Sequence, residues 1–399
     1  MNHKLLTIAA LCATMMACNS GNNTTSTTRV ELPGTIDEEA FAANIESISV
    51  MNLQMDDYWI LSEYSYTELT DNYLYTLDQR HLQLTCFDLN TGKILSSRTI
   101  KGNGPGEVIS VSSTFCIGDT LCVYDYNGVN KYDHNCQFVG KIQEFKKLGT
   151  NSFYLIRQKC GNLVHIIFDN NLCDTAGAAL ILTDKSFNVL SRHFATPHFN
   201  IGIWGGPQPC YASDDTICFL LSNDNHIYTL RGSVEECIEL VVPNPSTPKI
   251  AGEIFSKGEH SRMNDYDDFW GLAGSGRFIV LRYRIDKEPY IAMLDKRTNN
   301  IISVICDNKE ELKNTTDIVI DLFNRQEIIY TDGKFIYAKC KNSDLASLLE
   351  GHNNILDNRL KKTQATYRHF IKRNADYIKG LEPEERDAAN VLLKIKLKD

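Results

Sequence analysis

Short apolar runs, cut by Asp, Asn and Gly, dominate the chain from residue 71 onward, and this pattern predicts strands separated by tight turns. One unit, a turn followed by an apolar strand, recurs six times. Its copies read DNYLYTL, GDTLCVYDY, GNLVHIIF, DDTICFLLS, SGRFIVLRY and DGKFIYAKC. Their second turn residues are 47, 43, 53, 61 and 57 positions apart, so the chain repeats one supersecondary unit.

A second unit, a strand, a polar turn and another strand, follows each of the first five copies. It reads TCFDLNTGKIL, NKYDHNCQFVGKI, LILTDKSFNVLSR, IYTLRGSVEECIEL and IAMLDKRTNNIISV. Asp88, Asp133, Asp184 and Asp295 hold the same place at its turn, and Arg231 replaces the acid in the fourth copy. Aspartate suits hairpin corners because its carboxylate accepts hydrogen bonds from nearby backbone amides. We therefore interpret these acids as turn formers rather than catalytic acids.

Six such units predict an all-β fold, a six-bladed β-propeller that spans residues 35–399. After the sixth unit, apolar residues recur at helical spacing, which predicts a helical insertion in the last blade at about residues 345–388. The following NVLLKIKLKD alternates apolar residues with lysines and predicts a closing edge strand at about residues 390–398. We expect IESISVMNL, residues 45–53, to lie beside the last blade and close the ring.

The first residues have the pattern of an export signal. Lys4 precedes a short apolar run, residues 5–16, which is too short for an ordinary transmembrane helix. MMAC, which ends at Cys18, resembles a bacterial lipobox, and this implies cleavage before Cys18 and attachment of lipid to it. We predict a lipoprotein signal peptide at residues 1–17, a membrane anchor through lipid on Cys18, and a flexible polar tether at residues 18–34. The alternative is an ordinary signal peptide in which Cys18 is incidental.

Charge and cysteine content narrow the function classes. The formal net charge of −9 argues against nucleic acid and against an anionic membrane surface as partners. The 13 cysteines include no two CxxC pairs at the spacing of a zinc site. Most lie inside apolar runs such as LTCFDL and TICFLL, so we predict small buried hydrophobic residues, although export permits disulfides.

KGNGPGE, residues 101–107, is the first candidate site. Phosphate-binding loops of the Walker and dinucleotide types open helices, whereas this stretch leads into the strand-like EVISVSSTF. Glu107 would also repel a phosphate. We predict a tight blade-to-blade connection, and the alternative places Gly104 and Glu107 as ligand contacts at the mouth of the central channel.

Two further stretches are candidate sites. MNDYDDFWGLAG, residues 263–274, offers Asp265, Asp268 and Trp270, either for Ca²⁺, which prefers oxygen ligands, or for sugar hydroxyls beside an aromatic ring. The EF-hand pattern is absent, and the alternative is an acidic connecting loop with Trp270 in the packing. TPHFNIGIWGGPQP, residues 196–209, offers His198 and Trp204 as ligand contacts, although Trp204 suits a blade interface equally well.

These features together resemble the six-bladed β-propeller lipoproteins of Bacteroidota, often described as TolB-like propellers. The resemblance rests on MMAC, KGNGPGE after the first blade, the repeated turns and the terminal NVLLKIKLK, and it covers residues 35–399. It implies a six-bladed fold and a cell-envelope location, without a particular chemistry. Surface-exported members usually carry acidic residues directly after the cysteine. NSGN stands there in this chain, which favours an outer-membrane lipoprotein that faces the periplasm.

Two functions fit these observations. The first is a non-catalytic binding or scaffold module for a carbohydrate, a peptide or an envelope protein. The second is an enzyme, a lyase or hydrolase, with a site at the mouth of the central channel. No HExxH motif and no GxSxG elbow occurs, so we assign no catalytic residue and no metal site, and Ca²⁺ is the one cofactor considered. We prefer the binding module; a compact set of two histidines and a carboxylate would favour the enzyme.

Overall fold

The computed structural model describes residues 26–53, 65–125, 128–142, 155–159, 162–166, 178–195, 210–212, 216–221, 224–305, 327–331, 333–341 and 390–399. Three strands precede the repeats: β1 (Ser26–Glu31), β2 (Thr35–Ile36) and β3 (Ile45–Asn52). Helix α1 (Glu38–Ala43) lies between β2 and β3. Asp37 caps this helix, because its carboxylate accepts a hydrogen bond from the Ala40 amide at 2.9 Å.

The repeats form six antiparallel sheets, here called blades 1 to 6. Blade 1 contains β4 (Ser65–Leu69), β5 (Tyr73–Asp78), β6 (Gln83–Asp88) and β7 (Ile94–Thr99). Blade 2 contains β8 (Ser113–Ile117), β9 (Thr120–Asp125), β10 (Gly128–Tyr132) and β11 (Phe138–Ile142). Blade 3 contains β12 (Leu155–Lys159), β13 (Asn162–Ile166), β14 (Ala178–Thr183) and β15 (Val189–Ala195).

The second half of the ring follows the same order. Blade 4 contains β16 (Cys210–Ala212), β17 (Thr216–Leu220), β18 (His226–Arg231) and β19 (Val234–Val241). Blade 5 contains β20 (Asp268–Gly274), β21 (Phe278–Ile285), β22 (Glu288–Asp295) and β23 (Ile301–Ile305). Blade 6 contains β24 (Glu327–Thr331), β25 (Phe335–Lys341), β26 (Asn390–Leu397) and, from the N-terminal segment, β3. Helix α2 (Pro248–Ser256) and a 3₁₀ helix (His260–Asp265) lie between blades 4 and 5.

The six sheets form a closed circle, because the first strand of each blade contacts the first strand of the next and β24 contacts β4. This confirms the predicted six-bladed propeller. A blade has two apolar faces, and each face is buried against a neighbouring blade. Between blades 4 and 5, for example, Tyr211 and Leu240 share one core with Tyr283, whose ring stacks on Tyr290 at 5.2 Å.

The last blade is closed by the N-terminal segment, as predicted for residues 45–53. Strand β3 pairs with β26 in antiparallel register, from Val391 opposite Asn52 to Leu397 opposite Ile45. The strand predicted at about residues 390–398 is present as β26, but its predicted position at the edge is wrong, because β3 covers the outer side of β26. The helical insertion predicted at residues 345–388 lies outside the described residues.

Residues 26–52, which we call the N-terminal strap, follow the outer edges of three consecutive blades. Strand β1 pairs in parallel with β19 of blade 4, and β2 pairs in parallel with β23 of blade 5. The predicted flexible tether at residues 18–34 is therefore wrong for residues 26–31. They form a strand because the edge of β19 offers unpaired backbone groups, and the Arg29 guanidinium meets Glu239 at 3.1 Å. Cys18 and the predicted signal peptide lie outside the described residues.

Four blades carry a β-bulge in their outermost strand. The extra residue is Leu95 in blade 1, Val139 in blade 2, Leu190 in blade 3 and Glu46 in blade 6, each near the start of the strand. The fourth strands β19 and β23 of blades 4 and 5 pair with their neighbours without a register shift. The two unbulged edges are thus the two that accept a parallel strand from the strap.

The repeated acids are turn formers, as interpreted from the sequence. The Asp88 carboxylate accepts hydrogen bonds from the Asn90 and Thr91 amides at 2.9 and 2.8 Å. Equivalent bonds from the backbone amides that follow are made by Asp133, Asp184 and Asp295. These bonds lower the pKa of Asp88, the contribution from Thr91 being the largest.

Seven cysteines in the described part of the chain are free thiols: Cys86, Cys116, Cys122, Cys136, Cys210, Cys218 and Cys237. Five of these seven are buried, which confirms the prediction of small hydrophobic residues for that part of the chain. Burial raises the pKa of Cys122 and of Cys237 to about 12, so neither is a reactive thiolate at neutral pH. Within the described ranges, no helix has the length and apolar character needed to cross a bilayer.

Candidate functional site

The connections from the fourth strand of one blade to the first strand of the next cross on one side of the ring, because all six blades share the same antiparallel strand order. We call this side the loop face. Two such connections are described, residues 100–112 and residues 242–267. Gly104, Glu107 and Asp265 lie in them, and Asp268 begins β20 directly after the second. The hairpins of the turn-forming acids lie on the opposite side.

Residues 101–108 fold back on themselves at the loop face. The Gly102 amide donates to the Val108 carbonyl at 3.0 Å, and the Val108 amide donates to the Ile100 carbonyl at 2.8 Å. The Glu107 carboxylate accepts the Gly104 amide at 2.8 Å, so it turns onto its own loop. This geometry is the predicted tight connection between blades. The roles of Gly104 and Glu107 as ligand contacts stay predictions.

Side chains of blade 2 donate hydrogen bonds to the same loop. The Tyr132 hydroxyl donates to the Gly106 carbonyl at 3.1 Å, and the Asn130 amide group donates to the Glu107 carbonyl at 3.2 Å. Gly106 has a φ of +73°, and a Cβ there would lie 2.4 Å from the side chain of Phe138. Glycine at this position is therefore required by the backbone and by the close approach of β11.

Asp267 organises the second connection. Its side chain is buried, and its Oδ2 and Oδ1 accept the amides of Asn244 and Asp286 at 2.8 and 3.0 Å. The Asp267 carbonyl also accepts the Ser246 amide at 3.0 Å. This carboxylate therefore joins the end of blade 4 to the β21–β22 hairpin of blade 5. Both of its oxygens are used by the backbone, so its role is structural.

Asp268 forms a partly buried ion pair at the loop face. Its Oδ2 lies 3.1 Å from Nη2 of Arg284, which stands opposite it on β21, and both side chains are partly buried. Burial raises the pKa of Asp268, and Arg284 opposes this shift. Asp268 Oδ1 and Arg284 Nε are buried atoms without a hydrogen-bond partner among the described residues. The pair thus retains one acceptor and one donor.

Two other candidate residues of this stretch are Asp265 and Trp270. Asp265 and Lys287 are exposed and lie 3.7 Å apart, an arrangement that contributes little to stability. Trp270 is the extra residue of a bulge in β20, where the register shifts between Phe269 and Gly271. A bulge changes the direction in which the residues beside it point, and this one lies near the start of the first strand of blade 5.

The structure brings Asp268 together with Arg284 and leaves the 101–107 loop apart from them. That loop lies between blades 1 and 2, whereas Asp268 lies after the connection between blades 4 and 5, on the other side of the ring. His198 and Trp204 lie outside the described residues, in the segment that joins β15 to β16, and their roles stay predictions.

Comparison with known proteins decides the family. Residues 19–338 match a family described as a 6-bladed beta-propeller. The chain belongs to this family. Among solved structures, this propeller is similar to a "Putative exported protein" of Bacteroides fragilis, with 18% identity and a TM-score of 0.62, covering 94% of this chain and 99% of that one. That likeness shows the same fold. No match is found among curated proteins.

Two other solved structures are more distant from this propeller. The extracellular domain of a "putative one component system" of Bacteroides thetaiotaomicron has 12% identity and a TM-score of 0.37, covering 69% of this chain and 31% of that one. Hydrazine synthase of Kuenenia stuttgartiensis has 10% identity and a TM-score of 0.39, covering 71% of this chain and 76% of that one. Family membership thus confirms the predicted six-bladed architecture and assigns no chemistry.

Sequence reasoning missed Asp267 and Arg284 as the organising residues of this site. The sequence shows Asp267 only as one acid of a run, because the backbone amides that its side chain accepts come from Asn244 and Asp286, more than eighteen residues away in either direction. A signal for Arg284 was present. FIVLRYRI is an otherwise apolar strand, and a charge inside such a strand indicates a partner nearby.

The acidic residues of 263–274 can be compared with the ligand set of a metal site. In the described part of this propeller, no group of three His, Cys, Asp or Glu side chains is placed to hold a metal ion. Asp267 is engaged by backbone amides and Asp268 by Arg284, so the described residues of 263–274 do not fit the oxygen cage that Ca²⁺ requires.

Proposed function

We propose that this propeller is an envelope-anchored binding or scaffold module, and that its loop face binds a carbohydrate, a peptide or an envelope protein. The observation that carries the proposal is the Asp268–Arg284 pair, whose buried Oδ1 and Nε atoms have no partner among the described residues. Leaving a buried polar atom without a hydrogen bond costs about 1 to 3 kcal/mol, so a ligand that supplies the missing bonds recovers that free energy.

The chemistry of the pair defines the ligand. Both atoms are closed to solvent in this structure, so a ligand reaches them only when the two side chains shift; Asp268 Oδ1 then requires a donor and Arg284 Nε supplies one, so the ligand must present both an acceptor and a donor. Sugar hydroxyls and peptide amides both do this. The bond between Arg284 Nη2 and Asp268 Oδ2 keeps the two side chains together at the loop face.

Neighbouring bonds give the site a rigid support. Asp267, one residue before Asp268, is fixed by the amides of Asn244 and Asp286, and Asp268 itself stands opposite Arg284 in the β20–β21 ladder. Sites built on strands hold their geometry better than sites on loops. This arrangement supports recognition of a ligand at the loop face.

Thermal unfolding in the presence of oligosaccharides or peptides tests the proposal. A ligand at a hundredfold excess over its Kd stabilises the folded state by about 2.7 kcal/mol and raises the melting temperature. We expect Asp268→Asn to abolish the shift, because the amide cannot keep both the bond to Arg284 and a free acceptor. Glu288→Gln, at an exposed acid that begins β22, is the matched control. A shift that survives Asp268→Asn would place the ligand elsewhere, and turnover of the ligand would favour the enzyme.

The envelope anchor is the second part of the proposal. The MMAC pattern at residues 15–18 supports lipidation of Cys18, and NSGN after it supports an outer-membrane lipoprotein that faces the periplasm. Replacing the sulfur tests this directly. We expect Cys18→Ala to move the protein from the membrane fraction to the soluble fraction; retention in the membrane fraction would refute the lipid anchor.

A further inference from the structure

The first residue of the strap shows where the N-terminal segment joins the ring. Ser26 pairs with Glu236, close to the start of β19 in blade 4. The preceding residue of β19, Glu235, meets His193 of blade 3 at 3.1 Å and also accepts the Phe194 amide at 3.4 Å. The chain therefore enters the described structure at the rim contact between β15 and β19, which we call the blade 3–4 seam.

Two large apolar side chains are exposed on either side of this seam. Leu190, the bulge residue of β15, is 54% exposed, and Val234, the first residue of β19, is 57% exposed. Leu190 precedes His193 by three positions, about 10 Å along a strand. Val234 directly precedes Glu235. Single exposed apolar residues are common, but these two lie on either side of the place where the N-terminal segment joins the ring.

The proposed lipid on Cys18 limits how far this rim can lie from a membrane. Eight residue steps separate Cys18 from Ser26, and a fully extended chain spans at most about 3.6 Å per residue, which gives a limit of about 29 Å. A rim held within that distance meets the bilayer surface repeatedly, and apolar side chains there gain by entering the boundary between headgroups and acyl chains.

We propose that the blade 3–4 seam is a bilayer-contact surface, in which Leu190 and Val234 enter the membrane that holds the Cys18 lipid. This inference rests on the proposed anchor. The contact is apolar, and the chain carries a net charge of −9, so it requires no anionic lipid and is strongest on uncharged bilayers. The contact orients the ring relative to the membrane by one edge and leaves the loop face accessible to a ligand.

Tryptophan substitution with brominated lipids tests the contact. The lipidated full-length protein, as Leu190→Trp or Val234→Trp, is reconstituted in phosphatidylcholine vesicles with or without bromine on the acyl chains, and flotation measures anchoring. We expect the added tryptophan fluorescence to be quenched at both positions relative to the wild-type protein. Leu95→Trp is the matched control, because Leu95 is also an exposed bulge leucine but lies on blade 1, opposite blade 4.

The outcomes separate the two proposals. A protein that does not float refutes the anchor and with it the seam contact. A protein that floats, with tryptophans 190 and 234 no more quenched than tryptophan 95, refutes the seam contact alone, and cross-linking between copies would then assign the seam to self-association. The double variant Leu190→Ser with Val234→Ser provides an independent check. We expect it to float normally and to lose cross-linking to photoreactive phosphatidylcholine, whereas Leu95→Ser retains it.

Discussion

The outer rim of the ring has two kinds of blade edge. Blades 4 and 5 have unbulged fourth strands, and each is covered by a parallel strand from the N-terminal strap. Blades 1, 2, 3 and 6 end in a strand with a bulge near its start, and among the described residues no further strand pairs with these edges. An open, regular edge invites pairing with another chain, and a bulge or a cover prevents it. The comparison shows that this chain uses covering where the ladder is regular and bulges where the edge is free.

The largest expected effect comes from removing the strap. A chain that starts at Leu53 lacks β3, leaves β26 as an open edge and uncovers both regular edges of blades 4 and 5. We expect loss of a soluble, cooperatively folded protein, measured by yield and by urea unfolding. A chain that starts at Ser26 is the control and should fold normally; equal behaviour of the two chains would contradict the role of the strap.

Removing β1 alone sharpens this test. Thr27 lies opposite Cys237 in the β1–β19 ladder, so a chain that starts at Leu32 should expose the Cys237 thiol to maleimide. Cys122, buried between blades 2 and 3, should stay protected in the same sample. Labelling of both cysteines would indicate general unfolding rather than uncovering of one edge.

A single residue in the strap should give the next largest effect. Gly34 has a φ of +68°, and a Cβ there would lie 2.1 Å from the side chain of Ile301 in blade 5. We expect Gly34→Ala to lower the free energy of unfolding by about 3 kcal/mol, because it adds a clash to the backbone cost. Gly232→Ala shares the positive φ without a nearby atom and should cost about 1 to 2 kcal/mol. If urea unfolding gave the same loss of free energy for both variants, the strap would have moved to relieve the clash at Gly34→Ala.

Blade 4 also predicts a smaller, pH-dependent effect. The Asp224 carboxylate lies 2.5 Å from His226 Nδ1 and raises the pKa of that histidine. A raised pKa in the folded state stabilises it fully below the unfolded pKa of His, about 6.5, and this stability is lost as the pH rises through the folded pKa. We expect Asp224→Asn to flatten the change in melting temperature between pH 6 and pH 8. An unchanged slope would assign the pH dependence to another group.

The smallest effect is expected at the exposed side of the strap. Arg29 and Glu239 lie 3.1 Å apart, and the Arg29 side chain is 66% exposed. Solvent screens such a pair, so Arg29→Ala should change the free energy of unfolding by no more than about 0.5 kcal/mol. A larger loss in urea would mean that β1 is held by this ion pair rather than by its backbone ladder.

The sequence predicts repeating elements well and the strap only in part. The six apolar strands and the turn acids are local patterns, and the structure confirms them at positions such as Asp88 and Asp295. The pairing of β1 with β19 joins residues about two hundred positions apart, and STTRVE carries no local signal that distinguishes a strand from a tether. A bulge and the covering of an edge strand are both defined by the pairing of two strands. They can therefore be assigned only when the partner strand is known.

The candidate site likewise has features that local sequence predicts and features that depend on distant residues. KGNGPGE is a local turn, and its interpretation as a tight connection follows from the residues that surround it. Asp268 was identified from its acidic surroundings, whereas its bond to Arg284 depends on the register of two strands. The role of Asp267 depends on amides from two other segments, which no spacing in the sequence indicates.

The pairing of β3 with β26 has a consequence for how the chain folds. Ser49 and Lys394, which meet across this pairing, are 345 positions apart, so the ring cannot close until nearly the whole chain has emerged. Contacts between residues so distant in sequence are slow to form, because a long loop must be closed before they contribute. During synthesis the early blades therefore wait with their neighbours incomplete, and ring closure comes late in folding.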